Sequence, residues 1–210
     1  MISFATADLL LKRPNTTVDA SIISRDQIRY LLALLECAID SKIEGDVVEF
    51  GCFVGESSKY FRMMLDTKLS SKQLYVYDSF EGLPELGEYE KNTGWRAGTL
   101  KTTEDILKQN FNQNGLLPPN ITKGWFCDVP ENKIPDKISF AFLDGDFYQS
   151  IYDSFSKIYS RLSIGSVVVF HDYERPDLPG VKAAVEDILQ DRPNKILFKI
   201  FDQLGVYIHV

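Results

Sequence analysis

Four short stretches of this sequence put carboxylates, glycines and hydroxyls together at spacings that support chemistry. They are Glu49-x-Gly51-x-x-x-Gly55 followed by Ser57 and Ser58, then Asp78 with Ser79, then Asp144-Gly145-Asp146, and His171 with Asp172. The glycine spacing is not the G-x-G-x-x-G of pyrophosphate binding, so it suits a ligand without phosphate. Glycines let the backbone approach a ligand, Ser57 and Ser58 at a helix start offer donors to a carboxylate, and Glu49 can accept from an ammonium. The amino-acid end of a molecule such as S-adenosylmethionine fits that description. Asp78 lies 29 positions after Glu49, where a strand-tip carboxylate can accept hydrogen bonds from both ribose hydroxyls. Plainer readings stand beside these, an ordinary strand-to-helix turn for the glycines and a turn cap for Asp78.

Asp144-Gly145-Asp146 and His171-Asp172 face one another if the strands that carry them are neighbours. Two carboxylates with a third donor can hold a divalent cation, Mg2+ or another. A sugar hydroxyl is a poor nucleophile near neutral pH, and a cation with a base beside it eases loss of its proton. His171 reads as base, ligand or positioned neighbour. Trp125 and Phe126 read equally as flanks for an adenine or as core aromatics.

Elements of regular spacing are needed to bring these stretches together. Ser24 and Gln27 form a capping-box pattern, and Ile28, Leu31, Leu32, Leu35, Ala38 and Ile39 recur at helical spacing until Gly45. Strand-like runs follow at 47–50, 74–77, 121–125, 138–142 and 167–170, with helical patterns at 57–65, 103–110, 150–162 and 181–189. Alternating strands and helices predict a doubly wound α/β fold, a mostly parallel seven-stranded sheet of Rossmann-like type covered on both faces. After Pro193 two strand-like runs, 196–201 and 206–210, are joined so closely that they predict a C-terminal antiparallel hairpin. Residues 79–101 lack a period and hold Gly82, Pro84, Gly87, Gly94, Trp95 and Gly98, the mark of a lid or binding loop. One domain over 1–210 is expected, with 1–45 as an N-terminal helical segment.

Composition sets the outer bounds. A net charge of −7, a pI near 4.9 and no run of Lys or Arg leave nothing to attract a nucleic acid backbone. Cys37, Cys52 and Cys127 are odd in number and widely spaced, against a disulfide framework or structural zinc. Nowhere are there about 18 consecutive apolar residues to span a bilayer, and the start lacks a signal-peptide pattern, so a cytoplasmic protein is expected.

With those motifs in order, the sequence resembles the macrocin O-methyltransferase family. The resemblance rests on Val48-Glu49-Phe50-Gly51, Gly55-Glu56-Ser57-Ser58 and above all Asp78-Ser79-Phe80-Glu81-Gly82-Leu83-Pro84. It continues through Gly124-Trp125-Phe126, Leu143-Asp144-Gly145-Asp146, His171-Asp172-Tyr173 and Pro179-Gly180-Val181. It implies Mg-dependent methyl transfer from S-adenosylmethionine to a hydroxyl of a sugar-containing small molecule, with Asp144 as metal ligand and base and Asp172 as second ligand. His171 departs from the family's paired acidic residues, and imidazole suits softer ions than Mg2+. Two rivals remain open at this point. Asp144-x-Asp146 also satisfies the D-x-D pattern of nucleotide-sugar glycosyltransferases, and a non-catalytic binding module would keep the fold alone. Homo-oligomerisation is compatible with either.

Overall fold

The computed structural model describes residues 2–13, 23–190 and 196–210, with the side chains of 196–201 outside the description. Pro193, where the sequence pattern changes, lies outside the described residues. The helices are α1 (Ala5–Leu10), α2 (Arg25–Asp40), α3 (Glu56–Thr67), α4 (Glu104–Gln113), α5 (Tyr148–Ile158) and α6 (Pro179–Gln190). The strands are β1 (Asp46–Phe50), β2 (Leu74–Asp78), β3 (Asn120–Lys123), β4 (Ile138–Leu143), β5 (Leu162–Phe170), β6 (Ile196–Phe201) and β7 (Leu204–Ile208). One sheet in the order β3-β2-β1-β4-β5-β7-β6 contains all seven strands. The first five run parallel, and β7 is antiparallel to both β5 and β6.

Period-two alternation along β1 shows how the layers form. Val47 faces a core shared with α2, α3 and α4, including Leu31, Tyr60 and Phe111, while Val48 and Phe50 face a second core with Phe155 of α5 and Val185 of α6. Glu49 follows Val47 onto the α3 side, so its carboxylate enters an apolar layer with zero exposure. Helix α2 buries its Ile28, Leu31, Leu32 and Leu35 stripe, and its start carries the capping box that Ser24 and Gln27 predict.

Several boundaries differ from the sequence pattern: the strand expected over 121–125 ends at Lys123, and Phe126 begins a short 3-10 turn. The helix expected over 150–162 ends at Ile158, and β5 begins at Leu162 because its register against Ile138 of β4 extends pairing backwards. The hairpin link is only Asp202 and Gln203, with Leu204 and Gly205 already in β7. That turn buttresses the site: Tyr173 N–H donates to the Gln203 carbonyl at 2.7 Å, and the Gln27 amide of α2 donates to the Asp202 carbonyl at 2.7 Å. The short α1 was not visible as a separate helix in the sequence.

The sheet order reverses direction between β1 and β4, and their tips approach closely. Gly51 has φ +88°, and a Cβ there would lie 1.9 Å from the Asp144 carbonyl oxygen. Both conformation and space demand glycine. Gly51→Ala is expected to cost about 3 kcal/mol or more of stability, read by urea denaturation; an unchanged midpoint would contradict this close approach.

Candidate functional site

A cavity of about 560 Å3 opens at the carboxyl ends of β1, β2, β4 and β5, the reversal point where open parallel sheets collect ligands. Gly51, Asp78, Ser79, Trp125 and Phe126 line one part of it, and Asp144, Asp146, His171 and Asp172 line another. Both halves of the expected constellation therefore meet in one space. Glu49, Gly55, Ser57 and Ser58 do not line it.

Those four residues are engaged with one another and with the helices behind the cavity wall. The Ser57 and Ser58 hydroxyls each donate to a different Glu49 carboxylate oxygen, so the expectation that they face a ligand is not met. The reason is the burial of Glu49: a carboxylate inside the α3 layer needs donors, and the first turn of α3 supplies them. Burial nevertheless outweighs the two hydroxyls and pushes the Glu49 pKa up to about 8. Gly55 starts α3 in the left-handed region at φ +82°, and a Cβ there would lie 3.2 Å from Leu107 and Phe111 of α4. Its glycine serves helix packing rather than ligand approach.

Asp78 organises the loop that Gly51 opens. One carboxylate oxygen accepts from Phe53 N–H at 2.8 Å and the other from Phe80 N–H at 2.7 Å. Burial raises its pKa against these bonds. Each oxygen keeps a second lone pair for a ligand hydroxyl. Ser79 makes a local turn, donating to the Gly82 carbonyl and accepting from Glu81 N–H, each at 3.1 Å. Phe126 packs edge-on against Phe50 with centroids 5.2 Å apart, while Trp125 is 38% exposed.

On the opposite wall His171 Nδ1 lies 2.8 Å from Asp144 Oδ1 and 3.4 Å from Asp172 Oδ2. Burial alone would depress the imidazole pKa, but the two carboxylates overcome it and hold His171 well above its ordinary value. Burial raises Asp144 despite His171, whereas His171 and Arg175 outweigh burial at Asp172 and hold it low. Asp146 is pushed well up by burial and then by the charges of Asp144 and Asp172. Asp146 and Asp172 adopt left-handed φ of 59° and 55°, conformations of a kind concentrated at functional sites.

The donor atoms of Asp144, His171 and Asp172 converge within 4.8 Å of one another, close enough to hold a divalent cation. The set includes an imidazole, whose other nitrogen, Nε2, is buried without a hydrogen-bond partner. A nitrogen donor suits a softer ion than Mg2+, which prefers six oxygens. The residues thus fit a divalent cation, with Mg2+ the poorer match.

Residues 79–101 cover the cavity as a long irregular segment, pinned on itself by Leu83 N–H to the Thr99 carbonyl at 2.8 Å and Gly98 N–H to the Leu83 carbonyl at 2.9 Å. Its Glu90 is 1% exposed and accepts from Tyr148 N–H, tying the loop to the start of α5. Tyr89 stacks on Tyr148 at 5.0 Å. Trp95 and Tyr148 line the cavity, whereas Arg96 and Tyr173 do not. Sequence reasoning missed Glu90, one acid among several in an acidic loop, and Arg175, whose only signal is its place between Asp172 and Asp177.

Comparison with known proteins decides the family. The pattern of the macrocin-O-methyltransferase (TylF) family matches residues 11–209. The chain belongs to this family. Membership places it among S-adenosylmethionine-dependent O-methyltransferases. Among similar macrocin-O-methyltransferase relatives is the 8-demethyl-8-(2,3-dimethoxy-alpha-L-rhamnosyl)-tetracenomycin-C 4'-O-methyltransferase of Streptomyces olivaceus, 30% identical over 176 residues, 78% of this chain and 66% of that protein. Another is the demethyldecarbamoylnovobiocin O-methyltransferase of Streptomyces niveus, 27% identical over 202 residues, 89% of this chain and 74% of that protein. The chain thus spans about two thirds to three quarters of these relatives. The solved structure of the O-methyltransferase NovP superposes with TM-score 0.82 at 22% identity over 98% of each chain, which shows the fold.

The raised Glu49 pKa gives this macrocin-O-methyltransferase family member a pH signature. The folded chain holds the Glu49 proton more tightly than the unfolded chain, so stability is full below about pH 4.5 and declines towards about pH 8. Glu49→Gln removes that decline, and its stability relative to wild type should rise by up to about 1.4 kcal/mol per pH unit across this window. Parallel denaturation curves at every pH would refute a buried, protonated Glu49.

Proposed function

We propose that this chain transfers the methyl group of S-adenosylmethionine to a hydroxyl of a sugar carried by a small molecule. The observation that carries the reading is the single cavity in which Gly51, Asp78, Ser79, Trp125 and Phe126 meet Asp144, His171 and Asp172. A volume of about 560 Å3 is in the range of small-molecule and cofactor sites. Relatives named for methylation of a rhamnosyl tetracenomycin and of a novobiocin precursor support a glycosylated acceptor.

The charge of the cavity favours the same reading over glycosyl transfer. Eight lining residues are Asp or Glu, against Arg175 as the sole Lys or Arg. A nucleoside diphosphate would face like charge, whereas the sulfonium and ammonium of S-adenosylmethionine meet opposite charge. The retained Asp144 and Asp172 weigh against a non-catalytic module.

In the reaction the acceptor oxygen forms a bond to the methyl carbon as the carbon–sulfur bond breaks, leaving neutral S-adenosylhomocysteine. The sulfonium makes the methyl strongly electrophilic, so alignment carries much of the rate, on the order of 7 kcal/mol. Asp78 holds the ribose, Trp125 and Phe126 flank the adenine, and Ser79 and Gly51 shape the wall between them. Asp144 Oδ1 is engaged by His171, so Oδ2 receives the hydroxyl proton, and His171 stabilises the changing charge on Asp144. A divalent cation held by Asp144, Asp172 and His171 would supply added acidity at the hydroxyl.

Titration calorimetry with S-adenosylhomocysteine tests the cofactor. Binding at micromolar strength should weaken by about tenfold or more in Asp78→Ala; absence of binding in wild type would sink the proposal. The cation is tested with Mg2+ and Mn2+ at several pH values. The neighbouring carboxylates hold the His171 pKa well above its ordinary value, so an ion competes with a proton for the imidazole and affinity should rise with pH. Mg2+ affinity that equals or exceeds Mn2+ and ignores pH would exclude His171 from the ligand set.

A further inference from the structure

The loop after β5 holds an ion-pair assembly of which the chemistry above uses only Asp172. Arg175 donates from Nη1 to Asp172 Oδ1 at 3.2 Å, and from Nε and Nη2 to the two Asp177 oxygens at 2.7 and 3.2 Å. The same guanidinium carries the ring of Trp95 on its face, with Cζ 5.6 Å from the ring centroid. Trp95 belongs to the 79–101 segment and lines the cavity, as do Arg175 and Asp172. Asp172 is 2% exposed and touches His171 with its other oxygen.

We propose that Arg175 is a positioning residue that couples the placement of the lid tryptophan to the Asp172 carboxylate. The two-bond grip on Asp177 fixes the plane of the guanidinium, which leaves one edge for Asp172 and one face for Trp95. Trp95 is thereby held to the assembly through the guanidinium itself. When Trp95 is seated, Arg175 stays at Asp172 and fixes the orientation of that carboxylate beside His171. When Trp95 leaves, the guanidinium loses a partner on its face, and Asp172 loses a firmly placed donor. An acceptor that packs under Trp95 would thereby set the carboxylate against which its own hydroxyl is aligned. The role in catalysis rests on the methyl-transfer reading, while the coupling itself does not.

The test reads Trp95 and His171 directly and needs no acceptor. Trp95 and Trp125 are the two tryptophans of the chain and His171 and His209 its two histidines. In a Trp125→Phe background, Arg175→Ala should raise acrylamide quenching of Trp95 by about twofold or more. In otherwise wild-type protein, Trp95→Leu should move the ring 15N signals of His171, assigned by their loss in His171→Gln, and should no longer move them once Arg175 is Ala. Arg175→Lys keeps the charge without the planar fork, and it carries the same two readouts if Arg175→Ala does not fold. Quenching of Trp95 unchanged in a folded Arg175 variant overturns the proposal, as do His171 signals indifferent to Trp95. Calorimetry with S-adenosylhomocysteine on the wild-type protein separates the two readings. Failure to bind defeats methyl transfer and leaves the coupling result standing, whereas normal binding with an unmoved Trp95 defeats the coupling alone.

Discussion

A carboxylate taken out of water must find donors or a proton, and the tip of this sheet takes in several at once. Glu49 has two serine hydroxyls, Asp78 has two backbone N–H groups, Asp144 has His171, and Asp172 has both His171 and Arg175. Each set of donors is also a piece of architecture. The serines bind α3 to β1, Asp78 ties the loop between β1 and α3 through Phe53 to the start of the 79–101 segment through Phe80, and the His171 contact joins β4 to β5. Burial also makes Glu49 and Asp146 hold a proton more tightly than they would in water, the other way to satisfy a buried acid. The cavity is thus shaped by how each acid is satisfied as much as by the apolar layers beneath it.

Much of the fold is legible from spacing because the strands are short apolar runs with clear punctuation. Val47 to Phe50, Leu74 to Tyr77 and Val167 to Phe170 are β-rich and buried on both faces, as covered parallel strands require. The start of β5 is not legible: Leu162 falls at the end of a helical pattern, and Ile164 is 82% exposed. What makes it a strand is pairing with β4, a tertiary fact that no local period records. In the same way α1 has only six residues, too few to establish a period.

The site shows the same division. Residues at strand tips could be placed from topology alone, which is why Asp78, Asp144, His171 and Asp172 are found together. The direction of a side chain after the tip could not. Glu49, Ser57 and Ser58 have the right types for a ligand, but the alternation along β1 sends Glu49 into the α3 layer and the serines follow it. Glu90 and Arg175 were hidden for another reason, since their roles come from partners 58 residues away in sequence for Glu90 and across the lid for Arg175.

The strand order at the far side of the sheet has its own consequence. β7 lies between β5 and β6, so the strand made later is the inner one and the strand made earlier is the outer one. On the ribosome β5, which ends in His171 and Asp172, remains a bare edge through the synthesis of α6 and β6. Its open N–H and C=O groups can then pair with any extended chain nearby. The hairpin cannot dock strand by strand, because β6 has no place until β7 is present to receive it. Nascent chains are therefore most exposed to mispairing just before the hairpin closes, and a chaperone that shields one edge of this sheet would act there.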